Sequence, residues 1–263
     1  MTIPFLKWAG GKRWLVKNHS ELFPNSYNRY FEPFLGSGAV FFHLKPKNAV
    51  LSDANPRLIE TYQAIKENHK LIERYLLAHQ NQHSKDYYYN IRAMKLRSKF
   101  TRAAQFIYLN RTCWNGLYRE NKKGEFNVPI GTKSNVLLTS DNFENTAKML
   151  ERAELLPSDF EDIIDRSSDG DLIFVDPPYT VAHNCNGFIK YNQSIFTWDD
   201  QVRLSSTLNA ASDRGAHIIM TNADHPSIRN LYKQANIEVK SRSSIIGGRN
   251  SKRGKTSELF IQL

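Results

Sequence analysis

Short apolar runs alternate with stretches of helical period towards both ends of the chain, and the middle third loses the short runs. Near the N-terminus, "RYFEPF" (29–34) reads as a strand, "GSGAVFFHL" (36–44) turns through glycines into a helix, and "NAVLSD" (48–53) reads as the next strand. That strand–helix–strand order predicts parallel pairing. Further on, "LIFV" (172–175), "HIIMT" (217–221), "IEVKS" (237–241) and "ELFIQL" (258–263) predict strands. "TWDDQVRLSSTLNAASDRG" (197–215) predicts a helix with Thr197 as N-cap and Gly215 as stop. In the middle, residues 55–80 and 85–111 carry apolar side chains at helical spacing. Residues 111–135, rich in Gly, Asn, Lys and Arg, are too long for a connector and read as a functional loop or hairpin. The pattern predicts an α/β core built from residues 1–55 and 150–263, with a mainly helical lobe inserted at 56–149.

Composition narrows the setting. The apolar fraction of 40% and charged fraction of 24% over 263 residues are those of a globular protein. No apolar run approaches the roughly 20 residues that span a bilayer, and the N-terminus lacks a signal-peptide h-region, so a cytoplasmic, nucleoid-associated location is expected. The net charge of +10 points to a polyanionic partner, nucleic acid first. Cys113 and Cys185 show no metal-ligand spacing, so neither a metal nor a disulfide is expected.

"LIFVDPPYT" (172–180) carries the most specific chemistry. Prolines cannot donate to a ladder, so the strand must stop as Asp176 is reached. A carboxylate at the carboxyl end of a parallel strand lies in the crevice where α/β proteins bind ligands. Asp176 is an acceptor only, and the Pro177–Pro178 pair holds the Pro177 carbonyl rigidly beside it. Two fixed acceptors suit an –NH2 group, and Tyr179 offers a stacking face. A nucleobase with an exocyclic amine, turned out of its duplex, meets both requirements.

Two further segments suit a cofactor. The turn Gly36–Ser37–Gly38 admits close backbone approach, the following helix offers free N–H groups, and Asp53 at the end of the next strand can accept from ribose hydroxyls. In "FLKWAGGKRWL" (5–15), Trp8 and Lys12 flank two glycines, an aromatic for stacking and a cation for a carboxylate. Taken singly, a structural glycine turn and an incidental lysine explain these residues equally well. His183 and Cys185 form no credible site.

Together and in this order, "KWAGGK", "FEPFLGSG", "LSDAN", "NRTCWNGLYRENKKGEFNVPIG" and "DPPY" make the chain resemble the Dam family of DNA adenine-N6 methyltransferases over essentially its whole length. The resemblance implies a Rossmann-like S-adenosylmethionine methyltransferase core with an inserted target-recognition domain. The implied reaction moves a methyl group from S-adenosylmethionine to N6 of adenine in double-stranded DNA, within GATC. By the same resemblance Trp8 and Lys12 contact S-adenosylmethionine, and Glu32, Pro33, Gly36, Ser37 and Gly38 line its methionine end. Asp53 holds the ribose, Asp159 reads the adenine amine, and Asp176 borders the cofactor. Asp176, Pro177, Pro178 and Tyr179 match the catalytic motif. Lys7 matches a lysine near the first base pair. Trp114 stands where an aromatic enters the base stack, and Leu117, Arg119 and Pro129 match readers of the outer bases. Arg111, Asn115, Asn127 and Lys133 complete the expected DNA-binding set.

Trp for the commoner tyrosine at 114, and a short "TKSN" after Gly131, depart from the family pattern and bear on the target sequence. Residues 180–196 are expected to close over the base, with Lys190 and Tyr191 at the phosphates. Arg249, Lys252, Arg253 and Lys255 are expected at further phosphates, or else on a solvated charged hairpin. A monomer is expected, in a bacterial or phage-infected cell. Methylation of cytosine N4 or of RNA adenine would use the same amine-holding geometry, and a DNA-binding protein without turnover is the reading from another class.

Overall fold

The apolar run at 172–175 becomes the fully buried centre of a sheet, as a continuous run on a parallel strand should. In the computed structural model, which describes residues 3–121, 123–182, 196–243 and 255–263, the elements are α1 (Arg13–Asn18), β1 (Tyr30–Glu32), α2 (Ala39–Leu44), β2 (Ala49–Asp53), α3 (Pro56–Gln82), α4 (Lys85–Ala93), α5 (Lys99–Thr112), α6 (Phe143–Leu150), β3 (Ala153–Pro157), α7 (Phe160–Ile164), β4 (Leu172–Val175), α8 (Trp198–Asp213), β5 (His217–Ala223), α9 (Pro226–Leu231), β6 (Asn236–Ser243) and β7 (Lys255–Gln262). The expectations on His183, Cys185, Lys190, Tyr191, Arg249, Lys252 and Arg253, and on the side chain of Lys255, fall outside what is described.

The seven strands run in the order β3-β2-β1-β4-β5-β7-β6. β1 and β4 are parallel, with Tyr30 opposite Leu172, and β4 and β5 are parallel, with Val175 opposite Met220. β7 lies antiparallel between β5 and β6. From β3 to β5 this is the order of a doubly wound Rossmann sheet, and it reverses between β1 and β4. Ligands of such sheets bind at the carboxyl ends of the strands at that reversal. Glu32–Pro33 and Asp176–Pro177 occupy those ends.

Local signals account for most boundaries. Asn55 caps α3 by accepting from the Arg57 and Leu58 amides, with Pro56 in the first turn. Thr197 and Asp200 form a reciprocal capping box on α8, and Gly215 follows that helix at φ +91°. β3 is absent from the sequence-based expectations: "AELLP" is short, alternates buried and exposed positions, and ends on a proline, as an edge strand tolerates. The continuous helical pattern of 85–111 breaks between α4 and α5, where Met94 and Ser98 adopt extended backbone.

The chain divides into two compact units. The first comprises Met1–Ser20, Leu35–Lys47 and Leu51–Pro157, so residues 56–149 lie in it together with the N-terminal segment, the glycine turn and β3. Its core sets α3 against α5 and α6, with Phe5 packed on Tyr62 and Phe143. The second comprises Glu21–Phe34, Asn48–Val50 and Ser158–Leu263. There β1, β4 and β5 form the buried centre, and Arg29 forks onto the fully buried Asp171. Among the described residues no helix is long and apolar enough to cross a membrane.

Candidate active site and nucleic-acid interface

In the second unit the end of β4 is pinned from several sides. Asp176 accepts from the Thr221 hydroxyl of β5 at 2.8 Å. Pro177 is buried, and the Pro178 carbonyl accepts from Gln201 of α8, whose own amide oxygen takes a bond from Asn222. The Tyr179 hydroxyl donates to Glu258 of β7 at 2.9 Å. Burial, and then the charges of Asp176 and Glu258, hold the Tyr179 phenol well above its ordinary pKa, so it stays a neutral donor. At the neighbouring strand end, Glu32 is buried and accepts from Tyr30 at 2.8 Å, and Pro33 is buried beside it. Asp159 caps α7 through the Glu161 amide and takes a bidentate pair from Arg203, which lies 4.1 Å over the Phe160 ring. The Arg203 hydrogen bonds are the largest cause holding the Asp159 carboxyl below its usual range.

In the first unit the glycine turn and the end of β2 are joined. Asp53 accepts from the Gly36 amide through Oδ2 and from the Asn55 amide through Oδ1, both at 3.0 Å. Burial nevertheless pushes its carboxyl up to about 6. Gly36 sits at φ +48°, and a Cβ there would meet the Trp8 indole at 2.7 Å, so only glycine fits. Ser37 is buried, Gly38 caps α2, and the Tyr62 hydroxyl donates to the Gly36 carbonyl. Trp8 stacks on Phe106 and Tyr118, and the buried Lys12 donates to the Gly10 carbonyl. A carboxylate, a lysine and an open glycine turn form a donor and acceptor set that fits a nucleoside bearing an amino-acid tail.

The same unit folds residues 113–121 and 123–130 into an irregular hairpin. Cys113 bridges Ile130, and Glu120 bridges Phe126. Trp114 is 52% exposed, its amide bonded to the Pro129 carbonyl, and Asn115 after it is left-handed at φ +56°. Lys7 is bound to this hairpin: Asn110 accepts from its amide, donates to its carbonyl, and also donates to the Gly116 carbonyl. A Cβ on Gly116 would meet the Lys7 stem at 2.5 Å, which explains glycine there. Burial, then the hydrogen bond and charge of Lys133, lower the Lys7 pKa, so two cations stand together at this surface. Arg119 is exposed, and its Nε–H is fixed on Asn127 Oδ1 at 2.9 Å, while Asn127 donates its amide to the Arg119 carbonyl. Leu117 is half-buried and Pro129 exposed.

Arg111 departs from the expected DNA-binding set. It is buried, its Nε and Nη2 donate to the Phe5 carbonyl, its Nη1 donates to the Val136 carbonyl, and its two end nitrogens fork onto Asp141. Its five N–H donors are matched inside the protein, which leaves none for a base or a phosphate.

Sequence reasoning did not single out Thr221, Asn222, Gln201 or Glu258. Their signal was faint: two polar residues closing an apolar strand, and a glutamate heading one. Burial pushes the Cys113 thiol up to about 11, which makes it unreactive. Among the described residues no His, Cys, Asp and Glu cluster is arranged to hold a metal ion.

Residues 8–245 match the family described as D12 class N6 adenine-specific DNA methyltransferase. The chain is 35% identical over 267 residues to the Type II methyltransferase M1.LlaDCHI of Lactococcus lactis subsp. cremoris, covering 98% of this chain and 94% of that protein. It is 32% identical over 263 residues to the DNA adenine methylase of Vibrio cholerae, covering 97% and 94%. To the DNA adenine methylase of Escherichia coli K12 it is 29% identical over 260 residues, covering 97% and 93%.

Proposed function

Because the chain belongs to the D12 class N6 adenine-specific DNA methyltransferases, we propose that it methylates adenine N6 within GATC in double-stranded DNA, with S-adenosylmethionine as donor and residues 56–149 carrying target recognition. Membership of that family already makes it an adenine-specific DNA methyltransferase using a donor of this type. The observation that carries methylation of an amine is Asp176 at the switch point of the sheet, beside the buried Pro177 and a fixed tyrosine.

S-adenosylmethionine, when bound, supplies a methyl group on a sulfonium, a strong electrophile. Asp53 would accept from its ribose, Lys12 would pair with its carboxylate, and Trp8 and the Gly36–Gly38 turn would border its methionine end. The N6 amine is a weak nucleophile because its lone pair is delocalised into the purine ring. Asp176 and the Pro177 carbonyl would accept the two N6 hydrogens, which turns lone-pair density out of the ring and stabilises positive charge as it develops on nitrogen, until one of those hydrogens leaves as a proton to solvent. The same acceptors fix the line of attack. Tyr179 stacks on the extruded base. The hairpin of Trp114 and Arg119, together with Lys7 and Lys133, supports recognition of a duplex, and the match of Leu117, Arg119 and Pro129 to readers of outer bases supports GATC.

The test is transfer of tritiated methyl from S-adenosylmethionine to duplexes containing GATC or single-base variants, followed by nucleoside analysis. N6-methyladenine on GATC duplexes, with variants poor, is the expected outcome. N4-methylcytosine, or label on RNA alone, overturns the proposal. Equal labelling of all sequences removes GATC and leaves the adenine assignment.

A further inference from the structure

Glu258 is an expensive residue for its position. It lies near the start of β7, opposite Ala223 of β5 and Lys240 of β6, and is 2% exposed. A buried carboxylate is tolerated only when its lone pairs are engaged. It accepts from the Tyr179 hydroxyl, which comes from a residue 79 positions earlier in the chain. Thr221 lies opposite Phe260, two residues along each strand from the Ala223–Glu258 pair, so Thr221 and Glu258 share one face of the sheet. From that face Thr221 holds Asp176 and also bonds the Tyr179 phenol, while Glu258 accepts from the Tyr179 hydroxyl. Both ends of the Asp-Pro-Pro-Tyr turn are therefore anchored on two adjacent strands, β5 and β7.

We propose that Glu258 is a positioning residue for methyl transfer: its buried carboxylate holds the Tyr179 phenol and so sets the plane of the ring on which the target adenine stacks. The inference rests on the function proposed above. It changes what Tyr179 needs. Stacking alone requires only an aromatic face, so phenylalanine would serve at 179. A ring whose far end is hydrogen-bonded cannot tilt freely about its two side-chain torsions, and phenylalanine loses that restraint. Glu258 itself need not touch the substrate.

A double-mutant cycle tests this, using Glu258→Ala, Tyr179→Phe and both together, with Glu258→Gln as the conservative variant. Three quantities are read: single-turnover methylation of a GATC duplex, fluorescence of 2-aminopurine at the target adenine, and S-adenosylmethionine affinity by calorimetry. Losing a hydrogen bond to a charged group corresponds to about a ten- to hundredfold effect. Glu258→Ala and Tyr179→Phe should each lower the methylation rate by that factor, and the double variant should be no slower than the worse single. The 2-aminopurine signal should change in parallel, while cofactor affinity stays within about twofold, since neither side chain is assigned to the cofactor. Glu258→Gln keeps an acceptor oxygen of the same reach and should retain most of the rate. If Glu258→Ala does not fold, the Gln variant and Tyr179→Phe carry the test. Independent, multiplicative effects of the two substitutions overturn the inference while leaving an active enzyme, as does a Tyr179→Phe enzyme with wild-type rate and fluorescence. A wild-type chain that transfers no methyl to DNA overturns the proposed function and the inference with it.

Discussion

Asp53→Asn separates cofactor binding from folding. Asp53 takes one backbone N–H on each oxygen, yet burial still raises its carboxyl from 3.8 to about 6. The folded pKa lies above the unfolded one, so between about pH 4 and 6 the native chain keeps a proton that the unfolded chain has released. The group's contribution to stability is complete below its unfolded pKa and is lost as pH rises through about 6, by about 3 kcal/mol in total. Cofactor binding follows the opposite trend, because only the carboxylate form accepts freely from ribose hydroxyls. With a pKa of about 6, about a tenth of the free protein is ionised at pH 5 and about nine-tenths at pH 7. S-adenosylmethionine affinity should therefore fall about tenfold from pH 7 to pH 5. Asparagine presents an NH2 to one of the two backbone amides, which costs about 1–3 kcal/mol, but it escapes an ionisation cost of about the same size. At pH 7 the variant should thus melt close to wild type while binding cofactor weakly and without the slope. Calorimetric titrations of both proteins between pH 5 and 8 read the effect. A flat wild-type profile, or a variant that keeps the slope, refutes the reasoning.

Three other expectations follow from the site and its surroundings. Asp176→Ala should lower the single-turnover methylation rate by at least about two to three orders of magnitude, with cofactor affinity much less affected; near wild-type turnover would remove Asp176 from the chemistry. Arg111→Ala should destabilise the protein by about 3–5 kcal/mol, because it leaves Asp141 buried without its partner; denaturant unfolding measures this, and a stable variant that merely loses DNA affinity would restore Arg111 to the interface. Arg119→Ala should narrow the gap between cognate and near-cognate rates by about 1–3 kcal/mol per lost base contact, and Asn127→Ala should do the same in part by releasing the Arg119 Nε–H. An unchanged rate ratio across GATC and its single-base variants, with a shallower salt dependence, would make Arg119 a phosphate contact instead.

The Asp176–Tyr179 turn was legible because its constraints are local. An apolar run must form a strand, prolines must end it, and a carboxylate left at that end of a parallel sheet faces the ligand crevice whatever surrounds it. The caps of α3 and α8 were legible for the same reason, since Asn55 and Thr197 act on amides within three residues. β3 was not, because an edge strand is defined by its neighbour and "AELLP" has too little apolar content to declare itself.

The sequence by itself determined the α/β class, the Asp176–Tyr179 motif, the glycine turn with Asp53, and a polar segment at 111–135 too long for a connector, all of which follow from composition and short-range stereochemistry. Only the tertiary structure decided how these residues are used. Arg111, charged and in the right segment, became a buried clamp because Phe5, Val136 and Asp141 converge on it from distant parts of the chain. Tyr179, which the sequence presents only as an aromatic face, acquired a fixed hydroxyl because β7 inserts between β5 and β6 and brings Glu258 to it. A side chain's chemistry is written locally, but its free lone pairs and donors are what remains after every long-range contact has taken its share, and that remainder exists only in the folded chain.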